Sequence, residues 1–369
     1  MAKKNHSKKY KTNYWLKAYG SSENQTGVTV EDLLDKRKFL LQEGIFLYVL
    51  NCCFKFRTIP EIIKYIHNQL KLSNEIARTI VSQLIDLNLL VDSKSKSYKV
   101  EKKAKLWIKY GWEDALDYFV SIKDYPFLDY GSSEAAYVDN TLMEKYIKND
   151  PVPPIYKKYK GAKQVKLMSN DKSLEKTNIG ILLEDKVFDI SRGNLDLTKR
   201  QISNILFYSF GEMGIVEYPL QGKFLVKTNP SGGARHPTEV YFISLDSEIK
   251  KGIYHYSVKN NSLEDMKINF SDEKLREIIF ELKTGPNFPV KAVLIVSAIF
   301  PRSMWRYRES RSYRVILHDL GHIFENLKII AKAANVNAYF GHGFKDEELE
   351  KLLKIDNSKE AVFKFIAIG

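Results

Sequence analysis

The apolar positions of the first hundred residues predict a small helical unit. VEDLLDKRKFLL and PEIIKYIHNQL carry apolar residues at helical spacing, with Pro60 at a helix start. Ser73 is a predicted N-cap for a helix that runs to about Leu87. The following stretch LLVDSKSKSYKV alternates around a polar turn, which predicts a short hairpin. Two helices followed by a hairpin indicate a winged-helix-like unit.

From about residue 180 the pattern mixes helices with strands. TKRQISNILFYSFG predicts an amphipathic helix closed by Gly211, and RVILHDLGHIFENLKIIAKAANV predicts a long helix. TEVYFISL and GIYHYSV predict a hairpin-like strand pair, FPVKAVLIVSAIF a strand buried on both faces, and AVFKFIAIG a final strand. Because strands and helices do not alternate strictly, the pattern indicates an α+β fold rather than a doubly wound sheet.

The stretch between these parts, DPVPPIYKKYKGAKQVKLMSNDKSLE, is rich in proline and lysine and predicts an extended linker. The chain begins with a lysine-rich segment that lacks an apolar run. We therefore predict a basic tail over residues 1–28, a winged-helix-like domain over 29–130, a linker over 131–178 and a C-terminal domain over 179–369.

Composition restricts the class of protein. The chain of 369 residues is 44% hydrophobic and 28% charged, which is ordinary for a soluble globular protein. Its longest near-apolar run, GIFLYVLNCCF, is too short to span a bilayer, and no signal peptide is evident. The two cysteines, Cys52 and Cys53, are adjacent, which excludes a disulfide framework and a structural zinc site by count. We expect both cysteines to lie in a core. We also expect the protein to be cytoplasmic, where thiols stay reduced.

The net charge of +13 raises the question of nucleic-acid binding. A winged helix that reads DNA presents several basic residues on its second helix. The helix after Ser73 offers only Arg78, beside Glu75 and Asp86. The charge pattern therefore favours contact with a protein or peptide, and an acidic peptide would suit the basic surface.

A metal site and a hydrolytic triad are both disfavoured. His318 and His322 stand four residues apart on a predicted helix, as in a zinc motif. The residues between them include no glutamate beside the first histidine, and no third ligand has a recognisable spacing. The chain also has no GxSxG nucleophile motif.

Two segments point to an anionic, flat ligand. In NPSGGARHPTEVYF, residues 229–242, a turn with little side chain precedes a cation and a strand. This turn is either a surface β-turn or a place where a ligand approaches main-chain amides. PRSMWRYRESRSYRVILHDLGH, residues 301–322, holds five arginines among aromatic residues. The planar fork of arginine suits phosphate and carboxylate, so a nucleotide, RNA or an interface would all fit.

In combination, these motifs resemble the SagB/ThcOx branch of the FMN-dependent nitroreductase superfamily. The resemblance rests on PSGGARHP, the strand GIYHYSV and the stretch WRYRESRSYRVILHDLGHIFENL, and it covers roughly residues 30–369. It implies a nitroreductase-like mixed β-sheet flanked by helices, an FMN cofactor, and a winged-helix unit before the flavin domain.

The resemblance also implies a set of site residues. DISRGNLDLTKRQIS occupies the place of a phosphate contact, and Asp319, Gly321 and His322 match a signature with either a structural or a functional role. The implied cofactor-binding residues are Ser191, Arg192, Pro230, Ser231, Gly232, Gly233, Arg235, Arg311 and Arg314.

The implied catalytic pair departs from the family pattern. Members that oxidise azolines carry a Lys-Tyr pair where this chain has Arg306 and Tyr307. An arginine remains protonated in proteins and cannot act as the base. Tyr307 could therefore remove the proton, with Arg306 stabilising the phenolate. In the opposite direction, Tyr307 could protonate a substrate that accepts hydride, with Arg306 stabilising enolate-like charge.

Three functions stay open from the sequence. The first is dehydrogenation of thiazoline or oxazoline in a ribosomally made peptide, and the second is reduction of dehydroalanine or dehydrobutyrine in a lanthipeptide. The third is a winged-helix nucleic-acid binder with a degenerate C-terminal domain. The resemblance further implies a homodimer with FMN at the subunit interface. We expect a precursor peptide with an acidic leader as partner, a complex with other peptide-modifying enzymes, and no membrane association.

Overall fold

The fold is described by a computed structural model, which covers residues 8–20, 26–168, 174, 177 and 196–369. The chain divides into two compact units, Met1–Pro126 and Phe127–Gly369. This boundary lies four residues before the end predicted for the winged-helix-like domain. No helix within these described ranges is both long and apolar enough to cross a bilayer.

The N-terminal unit combines two small antiparallel sheets with five helices among its described residues. The sheets have strand orders β5-β1-β6 and β2-β3-β4. The elements are β1 Lys9–Thr12, β2 Leu16–Gly20, β3 Val28–Asp32, β4 Arg37–Leu41, α1 Gly44–Cys52, β5 Arg57–Thr58, α2 Ile59–Leu70, α3 Asn74–Asp86, β6 Leu90–Asp92, α4 Lys96–Lys109 and α5 Glu113–Ser121.

The predicted helical pair is confirmed as α2 and α3. Thr58 and Glu61 form a reciprocal capping box at the start of α2, and Pro60 lies in its first turn. The Ser73 hydroxyl accepts a hydrogen bond from the Ile76 N–H, as expected of an N-cap. The two helices bury their apolar faces in the core of the unit.

The helix predicted for VEDLLDKRKFLL is wrong, because this stretch forms the β3–β4 hairpin. The buried Asp32 carboxylate accepts hydrogen bonds from the Leu34 and Asp35 N–H groups. Lys36 follows with a left-handed φ of 55°, which reverses the chain. Local turn chemistry thus outweighs the helical spacing of the leucines.

The predicted tail and hairpin are also wrong within the described residues. Residues 9–20 supply β1 and β2, and Trp15 between them is fully buried with its indole N–H donating to the Ser97 carbonyl. The strand β6 pairs with β1 instead of a hairpin partner. The Ser95 hydroxyl then caps α4, so the chain continues as a helix. The winged-helix fold therefore stays a prediction, because the hairpin expected after the second helix is replaced by β6 and α4.

The C-terminal unit is built on a seven-stranded antiparallel sheet of order β14-β15-β13-β10-β11-β12-β7, with β8 and β9 as a separate hairpin. This confirms the α+β class. The elements are α6 Ser133–Asn149, β7 Gln164–Lys166, α7 Lys199–Phe210, β8 Glu212–Tyr218, β9 Gly222–Lys227, β10 Thr238–Ser244, β11 Gly252–Ser257, β12 Ser262–Asp265, α8 Asp272–Ile278, β13 Ala292–Ile299, α9 Phe300–Met304, α10 Tyr313–Ala333, β14 Ala338–Gly341, α11 Asp346–Leu352 and β15 Glu360–Ile368.

The sheet is covered on both faces, as the continuously apolar β13 predicts. Apolar residues of α7 and α10 pack on one face with Phe242 and Leu294. Residues of α8 and α11 pack on the other face with Ile243 and Ile295. The strand pair β10–β11, the helix α7 closed by Gly211 and the last strand β15 are likewise confirmed.

The predicted linker is wrong over much of its length, because residues 133–166 contain α6 and β7. β7 pairs with β12 and completes the sheet. Before it, the Lys157 ammonium pairs with the Glu360 carboxylate at the sheet face. Lys157 therefore attaches this extended segment to the domain.

A buried ionic cluster lies on the same sheet. His255 Nδ1 is 2.9 Å from Glu264 Oε2, and its Nε2 is 2.9 Å from Glu239 Oε2. Carboxylates only accept, so both ring nitrogens donate and the ring is an imidazolium. Burial would lower the pKa of His255, but hydrogen bonds to the two glutamates outweigh it and raise the pKa. Arg302 Nη1 also pairs with Glu239, at 2.7 Å.

We expect His255→Gln to reduce the free energy of unfolding by about 3–5 kcal/mol at mildly acidic pH, because it leaves a buried carboxylate unpaired. The folded-state pKa of His255 is raised, so its stabilisation is complete below the unfolded pKa of about 6.5. That stabilisation is lost as pH rises through the folded pKa. Urea unfolding across this range should show the difference from wild type shrinking as pH rises. The exposed His318→Gln is the control, and a pH-independent difference for His255→Gln would contradict the assignment.

Candidate active site

The glycine-rich turn between β9 and β10 is pinned by a carboxylate of α10. The Ser231 hydroxyl donates to Asp319 Oδ2 at 2.5 Å, and the Gly232 N–H donates to Oδ1 at 3.0 Å. The same Ser231 oxygen accepts from the His236 N–H at 2.9 Å. Burial raises the pKa of Asp319, while the bonds from Ser231 and Gly232 oppose that rise. Asp319, first noted as part of a signature, thus anchors the turn.

The turn has an uncommon backbone. Gly233, Ala234 and His236 have left-handed φ values of 60°, 51° and 43°. The left-handed conformation costs a residue with a Cβ roughly 1–2 kcal/mol. The hydrogen bonds to Asp319 offset this conformational cost for Ala234 and His236. Strained backbone that its surroundings hold in place is frequent at functional sites.

The two glycines leave room for side chains of the protein. A Cβ at Gly232 would lie 2.0 Å from Val315 Cγ1, and a Cβ at Gly233 would lie 1.9 Å from the Tyr307 hydroxyl oxygen. The absence of side chains at Gly232 and Gly233, which the sequence suggested would let a ligand approach, also lets α10 and Tyr307 pack against the turn. The turn and the predicted catalytic tyrosine are in direct contact.

Arg235 is a partly buried cation at the end of the turn. Its Nε donates to the Gly233 carbonyl at 3.1 Å, and its guanidinium lies 4.5 Å from the Phe224 ring centre. Burial lowers the pKa of Arg235, and the nearby positive charge of Arg306 lowers it further against the opposing effect of Tyr307. Arg235, at the end of the turn, is thus close enough to Arg306 and Tyr307 to interact with them electrostatically.

Arg306 is held by a carboxylate on α6. One of its terminal guanidinium nitrogens lies 2.7 and 2.9 Å from the two Asp139 oxygens, and both side chains are largely buried. The guanidinium also lies 5.2 Å from the Tyr307 ring centre. The adjacency of Arg306 and Tyr307 in the sequence gives no sign of this ion pair.

The remaining predicted cofactor residues are distributed around α10. Arg311 lies in a short 3-10 turn with its guanidinium 5.4 Å from the Phe127 ring centre. Arg314 lies in the first turn of α10 and has no ion-pair partner in the part of the chain that the structure describes. Pro230 is exposed at the start of the turn. Ser191 and Arg192 lie outside the described residues.

The histidine pair of α10 lies at the surface. His318 and His322 are both exposed. Within residues 8–20, 26–168 and 196–369, no group of three or more histidine, cysteine, aspartate or glutamate side chains could hold an ion.

Sequence reasoning missed Asp139 and Lys227. Asp139 lies between the buried Ala135 and Met143 on one face of α6. In the sequence it is one polar residue of a helix and carries no motif. Lys227 ends β9 just before the turn, and burial lowers its pKa to about 8 against the influence of nearby Glu239 and Glu212. No pattern in the sequence distinguishes Lys227 from the many exposed lysines.

The groups around the turn suit a flat anionic cofactor. The hydroxyls of Ser209 and Thr228 are buried without hydrogen-bond partners among the described residues. Thr228 leads directly into the turn, and the Ser209 carbonyl accepts from Asn229 at its start. Unpaired buried hydroxyls next to the turn are able to bond a polar ligand, and the partly buried Arg235 at the end of the turn suits a negatively charged one.

Parts of the chain are similar to known proteins. Residues 220–369 match the model of the Nitroreductase family. The chain is 35% identical over 158 residues to the trifolitoxin-processing protein TfxB of Rhizobium leguminosarum bv. trifolii, covering 42% of each chain. It is 25% identical over 135 residues to the microcin B17-processing protein McbC of Escherichia coli, covering 34% of this chain and 48% of that one. The chain thus matches less than half the length of either relative.

A solved structure, the E. coli microcin synthetase McbBCD complex with truncated pro-MccB17 bound, aligns with a TM-score of 0.41 at 20% identity. It covers 62% of this chain and 80% of that one. The family match at residues 220–369 spans β9 to β15, the turn and α10. This part of the chain is therefore similar to the Nitroreductase family.

Proposed function

We propose that the chain is an FMN-dependent oxidoreductase that dehydrogenates thiazoline or oxazoline rings in a ribosomally made peptide. The observation that carries this proposal is the turn held by Asp319 with the Tyr307 hydroxyl against Gly233, in a domain similar to the Nitroreductase family. The processing of trifolitoxin and microcin B17, in the names of two relatives, supports a peptide substrate.

Three kinds of group would hold the cofactor. The N–H groups of Ser231 and Gly233 would donate to the cofactor, since those of Gly232, Ala234 and Arg235 are bonded within the protein. Arg235, Arg311 and Arg314 would supply positive charge. Ser191 and Arg192 are proposed for the phosphate. When bound, FMN supplies the two-electron chemistry, namely acceptance or donation of hydride.

Tyr307 is proposed to move the proton. Its phenolic oxygen stands at the turn, so a peptide ring bound there could give up a carbon-bound proton to it as hydride leaves. Arg306 stays protonated and cannot be the base. Its guanidinium beside the Tyr307 ring would stabilise the phenolate.

The same arrangement supports the reverse reaction, reduction of dehydroalanine or dehydrobutyrine. The observation that favours it is the arginine at position 306, which can stabilise enolate-like charge while Tyr307 donates its proton. Mass spectrometry of azoline and dehydroamino peptides, each incubated with the flavin-loaded protein, separates the two. Loss of two hydrogens from the azoline peptide supports the first function, and gain of two hydrogens by the dehydroamino peptide supports the second. No change in either peptide contradicts both.

We propose that the N-terminal unit docks the precursor peptide along β4. This strand lies at the edge of its sheet, so part of its backbone is available to pair with an added strand. A cavity of about 500 Å³ adjoins it. The lining is mostly apolar and comes from β4, α1, α3 and two residues that follow α3: Phe39, Leu40, Leu41, Phe46, Gln83, Leu84, Asp86, Leu87 and Leu89.

An extended peptide fits this groove better than a helix or DNA. Main-chain pairing with β4 would hold any extended segment, and alternate side chains would enter the apolar cavity. Leu40 and Leu87 are 41% and 38% exposed there, which is costly for a surface that stays uncovered. Arg37 and Lys38 at the start of β4 would favour an acidic leader.

The oligomeric state and location are proposed from exposed side chains and free thiols. The hairpin β8–β9 exposes Met213, Ile215, Val216, Tyr218 and Val226, an apolar patch that suits a homodimer contact. Cys52 and Cys53 are both free thiols, which suits the cytoplasm. A complex with other peptide-modifying enzymes remains part of the proposal.

We expect Tyr307→Phe to lower kcat by about 100-fold or more, because it removes the proposed proton acceptor. The ring and its contact with Arg306 are retained, so bound flavin per chain should stay unchanged. Steady-state turnover and the flavin absorbance of the purified variant check this prediction. Tyr313→Phe, at an exposed tyrosine of α10, is the matched control. Full turnover by Tyr307→Phe would contradict the proposed role.

We expect Leu40→Lys combined with Leu87→Lys to weaken binding of a fluorescent precursor peptide by about tenfold or more, because two charges enter the apolar groove. Flavin content should be unaffected. Leu106→Lys is the control, since this leucine of α4 is 62% exposed and lies outside the groove. Equal peptide affinity of the double variant and the control, measured by fluorescence anisotropy, would contradict docking at β4.

A further inference from the structure

We infer that Asp139 is a positioning residue of the candidate site: it fixes Arg306, and through Arg306 it orients the phenol of Tyr307. This inference rests on the proposed function. Asp139 comes from α6, a helix outside the nitroreductase match at residues 220–369. The inference therefore adds a helix to the site that the family match does not include.

The contact between α6 and the rest of its unit is narrow. Ala135, Asp139 and Met143, spaced four residues apart, are its buried side chains among those described, and most of the others are exposed. A polar residue in such a stripe must be paired, because an unpaired buried carboxylate is costly. Asp139 satisfies both oxygens on one nitrogen of Arg306, at 2.7 and 2.9 Å.

The arrangement continues from Arg306 to the turn. The Tyr307 N–H donates to the Ser303 carbonyl at 2.9 Å, which fixes its backbone on α9. Its ring is bordered by the Arg306 guanidinium at 5.2 Å, and its hydroxyl rests against Gly233. If Arg306 is released from Asp139, the ring loses one of these restraints.

Asp139 also sets the charge at the turn. Arg235 and Arg306 are close enough to repel each other electrostatically. Asp139 compensates part of the charge of Arg306 at the turn, while the guanidinium still borders the Tyr307 ring at 5.2 Å. Without this carboxylate, two uncompensated guanidinium groups would stand beside the proposed flavin and would favour its negatively charged reduced form.

The chain offers a matched control in a second ion pair of the same helix. Arg308 Nη2 lies 2.6 Å from Asp150 Oδ2 directly after α6, and its guanidinium stacks 4.0 Å from the Tyr146 ring centre. Asp150 and Arg308 are 49% and 39% exposed, against 12% and 15% for Asp139 and Arg306. Water screens the exposed pair, so its removal should have little effect.

The test compares full-length, flavin-loaded wild type with Asp139→Asn, Asp139→Glu and Asp150→Asn. We expect Asp139→Asn to shift the reduction potential of the bound flavin to more positive values, and to lower kcat about tenfold with little change in KM. Asp139→Glu restores the charge and should return the potential toward wild type. Asp150→Asn should change neither quantity. A potential that is unmoved or more negative in Asp139→Asn would overturn the inference.

A second measurement separates failure of this inference from failure of the proposed function. Thermal unfolding of the flavin-free protein with Asp139→Asn, Arg306→Gln and both changes forms a double-mutant cycle. Non-additive effects support the pair even if no flavin binds, in which case the proposed function alone fails. Additive effects overturn the inference whether or not flavin binds. Asp139→Glu keeps the cycle informative if Asp139→Asn does not fold.

Discussion

The candidate site depends on one carboxylate, Asp319, that accepts two hydrogen bonds from the turn before β10. Two residues with side chains, Ala234 and His236, hold a left-handed backbone there. Such a turn persists only where its surroundings hold it. Because Asp319 lies on the long α10, the geometry of the turn is tied to the helix that covers the sheet. The fold and the site therefore share one interaction.

In the same domain, several buried charged side chains are paired with side chains of opposite charge. His255 neutralises part of the charge of two glutamates, Arg302 pairs with Glu239, and Asp139 pairs with Arg306. Each buried ion costs solvation, so each is useful only while its partner stays in place. Removing one partner therefore changes both the stability of the domain and the electrostatic field at the turn.

The sequence predicted the elements whose signals are local and strong. Capped helices and the apolar β13 were predicted because periodicity and residue identity specify them, whereas the roles of the turn and Tyr307 were implied only by the resemblance. The helix predicted for VEDLLDKRKFLL was wrong, because a hairpin turn at Asp32 and Lys36 outweighs the helical spacing of its leucines. Asp139 could not be recognised, because its partner Arg306 lies 167 residues away in the sequence. The lowered pKa of Lys227 results mainly from burial, which no local pattern shows.

The most direct test of the account is the flavin bound per chain, measured from the visible absorption of the purified protein and of the supernatant after heat denaturation. The account predicts a yellow protein that releases a flavin co-migrating with FMN. It also predicts that Asp319→Ala, which frees the turn, retains much less flavin at equal protein concentration. A folded wild-type protein that is colourless and fails to take up added FMN would contradict it.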